Sequence, residues 1–235
     1  MSNTSKGRGT KGSKFWMQVV VENSNLRDEL DNQIGESLEW LSPLAGNNEE
    51  FLEYKLNQKV MLDKLGITEE EGKNIFSFWP NNQPQWDGLA ISKDGETLYL
   101  VEAKAHLSEL NSKLSATNPT SVKQITNTMR EVHKEYFASG NFEAWTDKYY
   151  QLANRLTFLK KLQLVRFPVI NKVKLVLLNF VDDFTNIETQ TIEWEAHYKK
   201  VFNEMIGTEK APLEVIVVNY NVSNRGIAPN PQTGK

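Results

Sequence analysis

Two carboxylates and an amine are spaced through residues 85–106, QWDGLAISKDGETLYLVEAKAH, so that two-stranded geometry would gather them. Asp94-Gly95 is a preferred pair for a tight hairpin turn, and Ile91-Ser92-Lys93 and Thr97-Leu98-Tyr99 flank it. With Asp94 and Gly95 at the turn centre, Lys93 pairs with Glu96, and counting outward sets Asp87 opposite Glu102. Directly opposed residues share a face, with Cβ atoms roughly 4.5–5.5 Å apart. Lys104 lies two residues beyond Glu102 and points to the same side. Leu89, Ile91, Leu98 and Leu100 fall on that face further in and belong in a core.

Two carboxylates side by side at the edge of a core repel each other and require a shared proton, a cationic partner or a metal. A hard divalent ion held by oxygen ligands, keeping several waters, suits the pair best. Lys104 then orients or deprotonates an attacking water and stabilises negative charge in the transition state. The plain alternative is a surface salt bridge between Lys104 and one acid at a charged strand end.

Asp87 followed by Glu102-Ala103-Lys104 resembles the PD-(D/E)XK nuclease superfamily, which pairs an Asp at one strand start with (Asp/Glu)-x-Lys on the next. Trp86 stands where that motif usually has Pro, with Pro84 two residues earlier. SPL (42–44), Glu53-Tyr54, FWP (78–80), PQWDGLA (84–90) and VEAKAH (101–106) look like an uncharacterised bacterial group within it, from about Trp40 to about Ile125. The resemblance implies a restriction-endonuclease-like core and Mg2+- or Mn2+-dependent hydrolysis of phosphodiester bonds, with DNA as the substrate. It implies Asp87 and Glu102 as metal ligands, with the Ala103 carbonyl as a further one and Glu53 completing the shell from a helix before the hairpin. Gln124 occurs where some members carry a supporting Gln. Many nucleases of this sort act as dimers, so a homodimer is compatible with the resemblance.

The elements that must position these residues are read from periodicity. A helix starts at Ser24 with Leu26, Leu30, Ile34, Leu38 and Leu41 on one stripe and stops before Pro43; a second runs from about Asn48 to Leu65, with Leu52, Leu56 and Val60 inward. Glu53 lies beside that second stripe, whereas Glu36, the other acid considered, sits well off its own. Glu69-Glu70-Glu71 reads as an acidic turn and Ile75–Trp79 as a strand. The loop 80–84 leads straight into Asp87, where Trp79 or Trp86 can stack on a base or, more simply, pack the core. His106 leaves the strand on the site's side, placed for a phosphate or a proton transfer. Helices follow over 121–138 and 147–164, then the apolar strand 173–181, a helix over 192–206 and a last strand over 213–220. The order suits an α/β fold: a mixed central β-sheet flanked by helices on both faces.

The 235-residue chain fits one nuclease-like α/β domain over 15–222, with a basic disordered tail at 1–14 and another at 223–235. FWMQVVVE (15–22) reads as a short strand or a packing arm. Absence of Cys excludes disulfides, thiolate metal sites and a Cys nucleophile, and fits a cytoplasmic location. No apolar run is long enough to span a membrane, so a membrane partner is not expected. The net charge is −3, but residues 104–174 carry twelve Lys/Arg against five Asp/Glu. Lys113, Lys123, Arg130, Lys134, Arg155, Lys160 and Lys161 form a phosphate-binding surface if they share a face. The competing function is a catalytically silent nucleic-acid-binding or protein-interaction module on the same fold.

Overall fold

The computed structural model describes residues 7–223 and Arg225. Its centre is a five-stranded mixed sheet in the order β1-β2-β3-β4-β5, where β1 is Leu38–Ser42, β2 Gly88–Ser92, β3 Thr97–Lys104, β4 Lys172–Val181 and β5 Val215–Asn221. The first three strands form an antiparallel meander, and β4 and β5 add in parallel to β3.

The β2–β3 hairpin has the register counted from its turn: Gly88 pairs with Val101, Leu89 with Leu100 and Ile91 with Leu98. Gly95 takes a φ of 81°, the left-handed region that glycine enters without steric cost. Ser92 Oγ donates to Asp94 Oδ1 at 2.5 Å and accepts from the Thr97 N–H at 2.9 Å, which fixes the turn. Alternation then sorts the side chains. Leu98 and Leu100 enter one apolar cluster, while Tyr99, Val101 and Ala103 enter another on the opposite face.

Helices cover both faces. Helix α1 (Gly12–Glu22) and helix α2 (Ser24–Ile34) pack on the face that carries Tyr99 and Val101. The opposite face holds α3 (Lys59–Leu65), α5 (Pro119–Tyr136), α7 (Tyr150–Gln163) and α8 (Thr191–Ile206), with the short α4 (Glu69–Ile75) and α6 (Phe142–Asp147) between them in the chain. At Gly88 a side chain would collide with the α1 layer: a Cβ there would sit 2.5 Å from Met17 Cε and 3.1 Å from Trp40 Cζ3. Glycine beside Asp87 thus lets α1 press onto the start of β2. No helix among the described residues is long and apolar enough to cross a membrane.

Several local readings are corrected. FWMQVVVE is neither strand nor arm but most of α1, and the helix begins at Gly12, inside the segment read as a tail. Its apolar residues recur densely enough to suit either period, and burial of Phe15, Trp16, Val20 and Val21 against the sheet selects the helix. The Gly9 N–H also donates to Gln18 Oε1 at 2.7 Å, while residues 1–6 lie outside the described residues. At the other end Arg225 pairs with Glu29 through two 2.7 Å bonds; residues 224 and 226–235 lie outside the described ones.

The helix from Ser24 ends at Ile34 because Gly35 adopts φ 84° and closes it with a left-handed cap. Leu38, placed on a helical stripe by spacing, instead alternates inward with Trp40 along β1 against β2. The helix expected over 48–65 survives only as α3. Ahead of it, Phe51 is fully buried at a φ of 47° and Leu44 bridges Leu52, so core packing dictates an irregular path. Glu69–Glu71 form the first turn of α4, closed by a Thr68–Glu71 capping box. Phe76–Phe78 is a 3-10 turn rather than a strand; the Ser77 and Phe78 carbonyls accept side-chain bonds from Gln124 at 2.8 Å and Thr128 at 2.7 Å. The third meander strand is therefore β1.

Candidate active site

Asp87 immediately precedes β2, and Glu102 and Lys104 close β3. The register that pairs Gly88 with Val101 continues to set Asp87 across from Glu102. The Ala103 N–H donates to Asp87 Oδ2 at 2.8 Å and ties the two strand ends together. Lys104 Nζ bonds Glu102 Oε1. From the layer above, Arg155 on α7 donates its Nε–H to Glu102 Oε2 at 2.6 Å. Both Glu102 oxygens thus face a cation, and all three side chains are buried.

Arg155 is held on every side. One terminal nitrogen donates to the Gln85 carbonyl at 2.8 Å and the other to Asn154 Oδ1 at 3.2 Å, and the guanidinium lies 4.5 Å over the Trp86 ring. Asp87 differs. Its Oδ1 carries no hydrogen bond from a described residue, and no cation stands in direct contact with it.

The electrostatics follow from this asymmetry. Burial, and then the charge of Glu102, push the Asp87 carboxyl up to about 7. Burial also works to raise Glu102, but Arg155 and Lys104 outweigh it and hold that carboxyl below the usual range. Burial works to lower Lys104, and the two acids reverse it, so the ammonium is held above its ordinary value.

The polar group continues across the sheet. Lys104 is in register with Asn179 of β4, and Asn179 with Asn219 of β5. Asn179 Nδ2 donates to Asn219 Oδ1 at 2.9 Å, and the Tyr198 hydroxyl on α8 donates to Asn179 Oδ1 at 3.1 Å. This row crosses the carboxyl ends of the parallel strands, the usual place for a site in an α/β sheet. A cleft of about 740 Å³ lies between α3, α4 and the 76–85 segment, with Lys55, Lys73, Trp79, Asn81, Gln83 and Gln85 among its walls; Asp87, Glu102, Lys104 and Arg155 do not line it. Gln85 is the residue common to both, lining the cleft and giving its carbonyl to Arg155.

The remaining expected residues make contacts of their own. Glu53 lies in the irregular segment, not on a helix; the neighbouring Tyr54 carbonyl accepts from the Trp86 N–H at 3.3 Å. Among the described residues no group of three or more His, Asp or Glu converges, so the site is two acids with two cations. Glu36 is on the other face of β3, 3.4 Å from the Tyr99 hydroxyl. Gln124 spends its amide on Ser77. His106 turns to Ser108 Oγ at 2.7 Å and Glu109 at 3.4 Å. Glu109 in turn accepts from the Ala105 and His106 N–H groups and from Ser13 on α1. Trp79 and Trp86 are buried against Phe158, which makes packing their role.

Four of the seven basic residues are engaged by other side chains of the fold. Arg155 is buried in the ion cluster, Lys160 pairs with Glu214, Lys161 with Glu131, and Arg130 lies over the Phe142 ring. Arg155, Asn179 and Tyr198 are the site residues that motif reading missed. Two carried a signal: Arg155 falls between Leu152 and Leu159 on the inward stripe of α7, and Asn179 interrupts an apolar strand. Comparison with family models, with curated proteins and with solved structures returns no match.

Proposed function

We propose that this chain is a divalent-metal-dependent nuclease of the PD-(D/E)XK type, hydrolysing phosphodiester bonds in DNA. The observation that carries the reading is the hairpin register, which opposes Asp87 and Glu102 and sets Lys104 on their face at the sheet's carboxyl edge.

The donor set suits a hard ion such as Mg2+ or Mn2+: two carboxylates, one with an unpartnered oxygen, and the Ala103 carbonyl nearby. Burial and the charge of Glu102 raise the Asp87 carboxyl, and no cation stands in direct contact with it. When bound, the ion would polarise the phosphate and supply a nucleophilic water at neutral pH. Asp87 and Glu102 hold and orient it. Lys104, which the two acids hold as an ammonium in the metal-free cluster, would orient the water and stabilise charge on the phosphoryl oxygens. A cytoplasmic location and a homodimer belong to the same proposal.

One observation favours a second reading, a silent nucleic-acid-binding or protein-interaction module: both oxygens of Glu102 already hold cations. Incubation with mixed DNA and RNA substrates, with and without Mg2+, separates the two. Mg2+-dependent cleavage lost in Lys104→Ala and in Asp87→Ala supports the nuclease. Cleavage that survives both substitutions removes the assigned site, and affinity for nucleic acid without metal dependence favours the silent module.

A further inference from the structure

With both acids ionised the ion cluster is already neutral. Asp87 and Glu102 bring two negative charges, and Lys104 and Arg155 bring two positive ones. A divalent ion seated on the two acids with both cations in place would leave a desolvated excess of two positive charges, which a low-dielectric site does not tolerate. One cation must give way, or an anion must arrive with the metal.

Lys104 is the poor candidate to leave, being two residues along the same strand from Glu102 and fixed by the β3–β4 pairing. Arg155 reaches the acid across the interlayer space through the Nε–H of a long side chain. Its other anchors, the Gln85 carbonyl, Asn154 and the Trp86 ring, do not depend on Glu102. Released from Glu102, the guanidinium would remain at the Gln85 carbonyl and over the Trp86 ring, carrying an uncompensated charge. A phosphodiester is the anion of matching shape, because the planar fork of guanidinium donors pairs with two phosphate oxygens.

We propose that Arg155 is a resident cation: it occupies on Glu102 the place a divalent ion needs, and gives that place up to the metal while its guanidinium turns to the phosphate of the strand being cut. This rests on the nuclease reading and deepens it. Arg155 acts in the metal-free protein as a positioning residue that keeps Glu102 charged and aimed. Metal and phosphodiester then favour each other's binding, because each supplies the charge that the other's arrival unbalances.

The test is calorimetric titration of Mn2+ alone into wild type and Arg155→Met, a variant that keeps an unbranched apolar side chain over Trp86 and leaves Glu102 paired with Lys104. Mn2+ affinity at least tenfold higher in the variant is expected, including the case in which only the variant binds. Equal or weaker affinity in the variant, with wild type binding, overturns the resident cation and leaves the nuclease standing. Binding by neither overturns both. Should Arg155→Met not fold, the wild type suffices: the Arg155 Nε–H resonance should shift and exchange faster as Mg2+ saturates the site, and Mg2+ binding that leaves this resonance untouched refutes the proposal.

Discussion

Arg155 and Glu102 lie 53 residues apart in the chain and 2.6 Å apart in the fold. The contact joins α7 to the end of β3 and turns a hairpin motif into a closed ion cluster. Breaking a buried pair by removing one partner leaves the other charge desolvated, at a cost of about 3–5 kcal/mol. Glu102→Gln strands two cations at once, so urea unfolding should show a loss at the upper end of that range. A loss below about 1 kcal/mol would mean that the cluster is open to water.

Asp87 gives stability a pH dependence of definite sign. Its carboxyl titrates near 7 in the folded protein and at an ordinary acidic value in the unfolded chain. Between those limits the folded state binds more protons, so stability falls as pH rises through the window and the loss is complete above about 7. Asp87→Asn keeps an oxygen for the Ala103 N–H and removes the charge. Its melting temperature should exceed that of wild type at pH 8, and the gap should close as the pH approaches 4. A gap of the same size at both pH values would show that Asp87 titrates normally.

Asn179 and Tyr198 satisfy one another inside the α8–sheet layer. Asn179→Ala removes the acceptor of a buried hydroxyl, and Tyr198→Phe removes the donor. Each alone should cost roughly 1–3 kcal/mol. The double variant should cost less than the sum by about 0.5–3 kcal/mol, the range found for residues in contact. Strict additivity in denaturant unfolding would disprove the coupling.

Gly88 is the point where α1 meets the strand start that carries Asp87. A methyl group there approaches Met17, Trp40 and Val101 too closely, so Gly88→Ala should destabilise by about 1–3 kcal/mol through overpacking. Because Met17 Cε is the nearest atom and the end of a flexible side chain, Met17→Ala should relieve part of that loss. An unchanged unfolding midpoint for Gly88→Ala would rule out close packing of α1 at this point.

Gln124 provides a contrast, since its amide caps the 3-10 turn at Ser77 rather than the ion cluster. Gln124→Ala should leave any cleavage rate within about twofold and shift stability by about 0.5 kcal/mol or less, as substitutions away from buried features usually do. A tenfold loss of cleavage would place Gln124 in the site after all.

What was legible in the chain was what depends on near neighbours. An Asp-Gly turn and period-two alternation determine the hairpin register, and with it the opposition of Asp87 and Glu102 and the side to which Lys104 points. Gly35 was equally local, and its left-handed cap ends α2 where a stripe of leucines suggested continuation. Tertiary structure decided the rest. Leu38–Ser42 satisfies a helical stripe and a strand alternation at once, and only the open edge of β2 selected the strand. Residues 49–58 gave up a plausible helix so that Phe51 could reach the core, which moved Glu53 off the helix expected to carry it. Whether Lys104 was the acids' sole cation could not be read locally either: that depended on α7 lying over the sheet and bringing Arg155 to Glu102. A charge balance belongs to side chains that packing brings together, and sequence spacing reports only those that one element already shares.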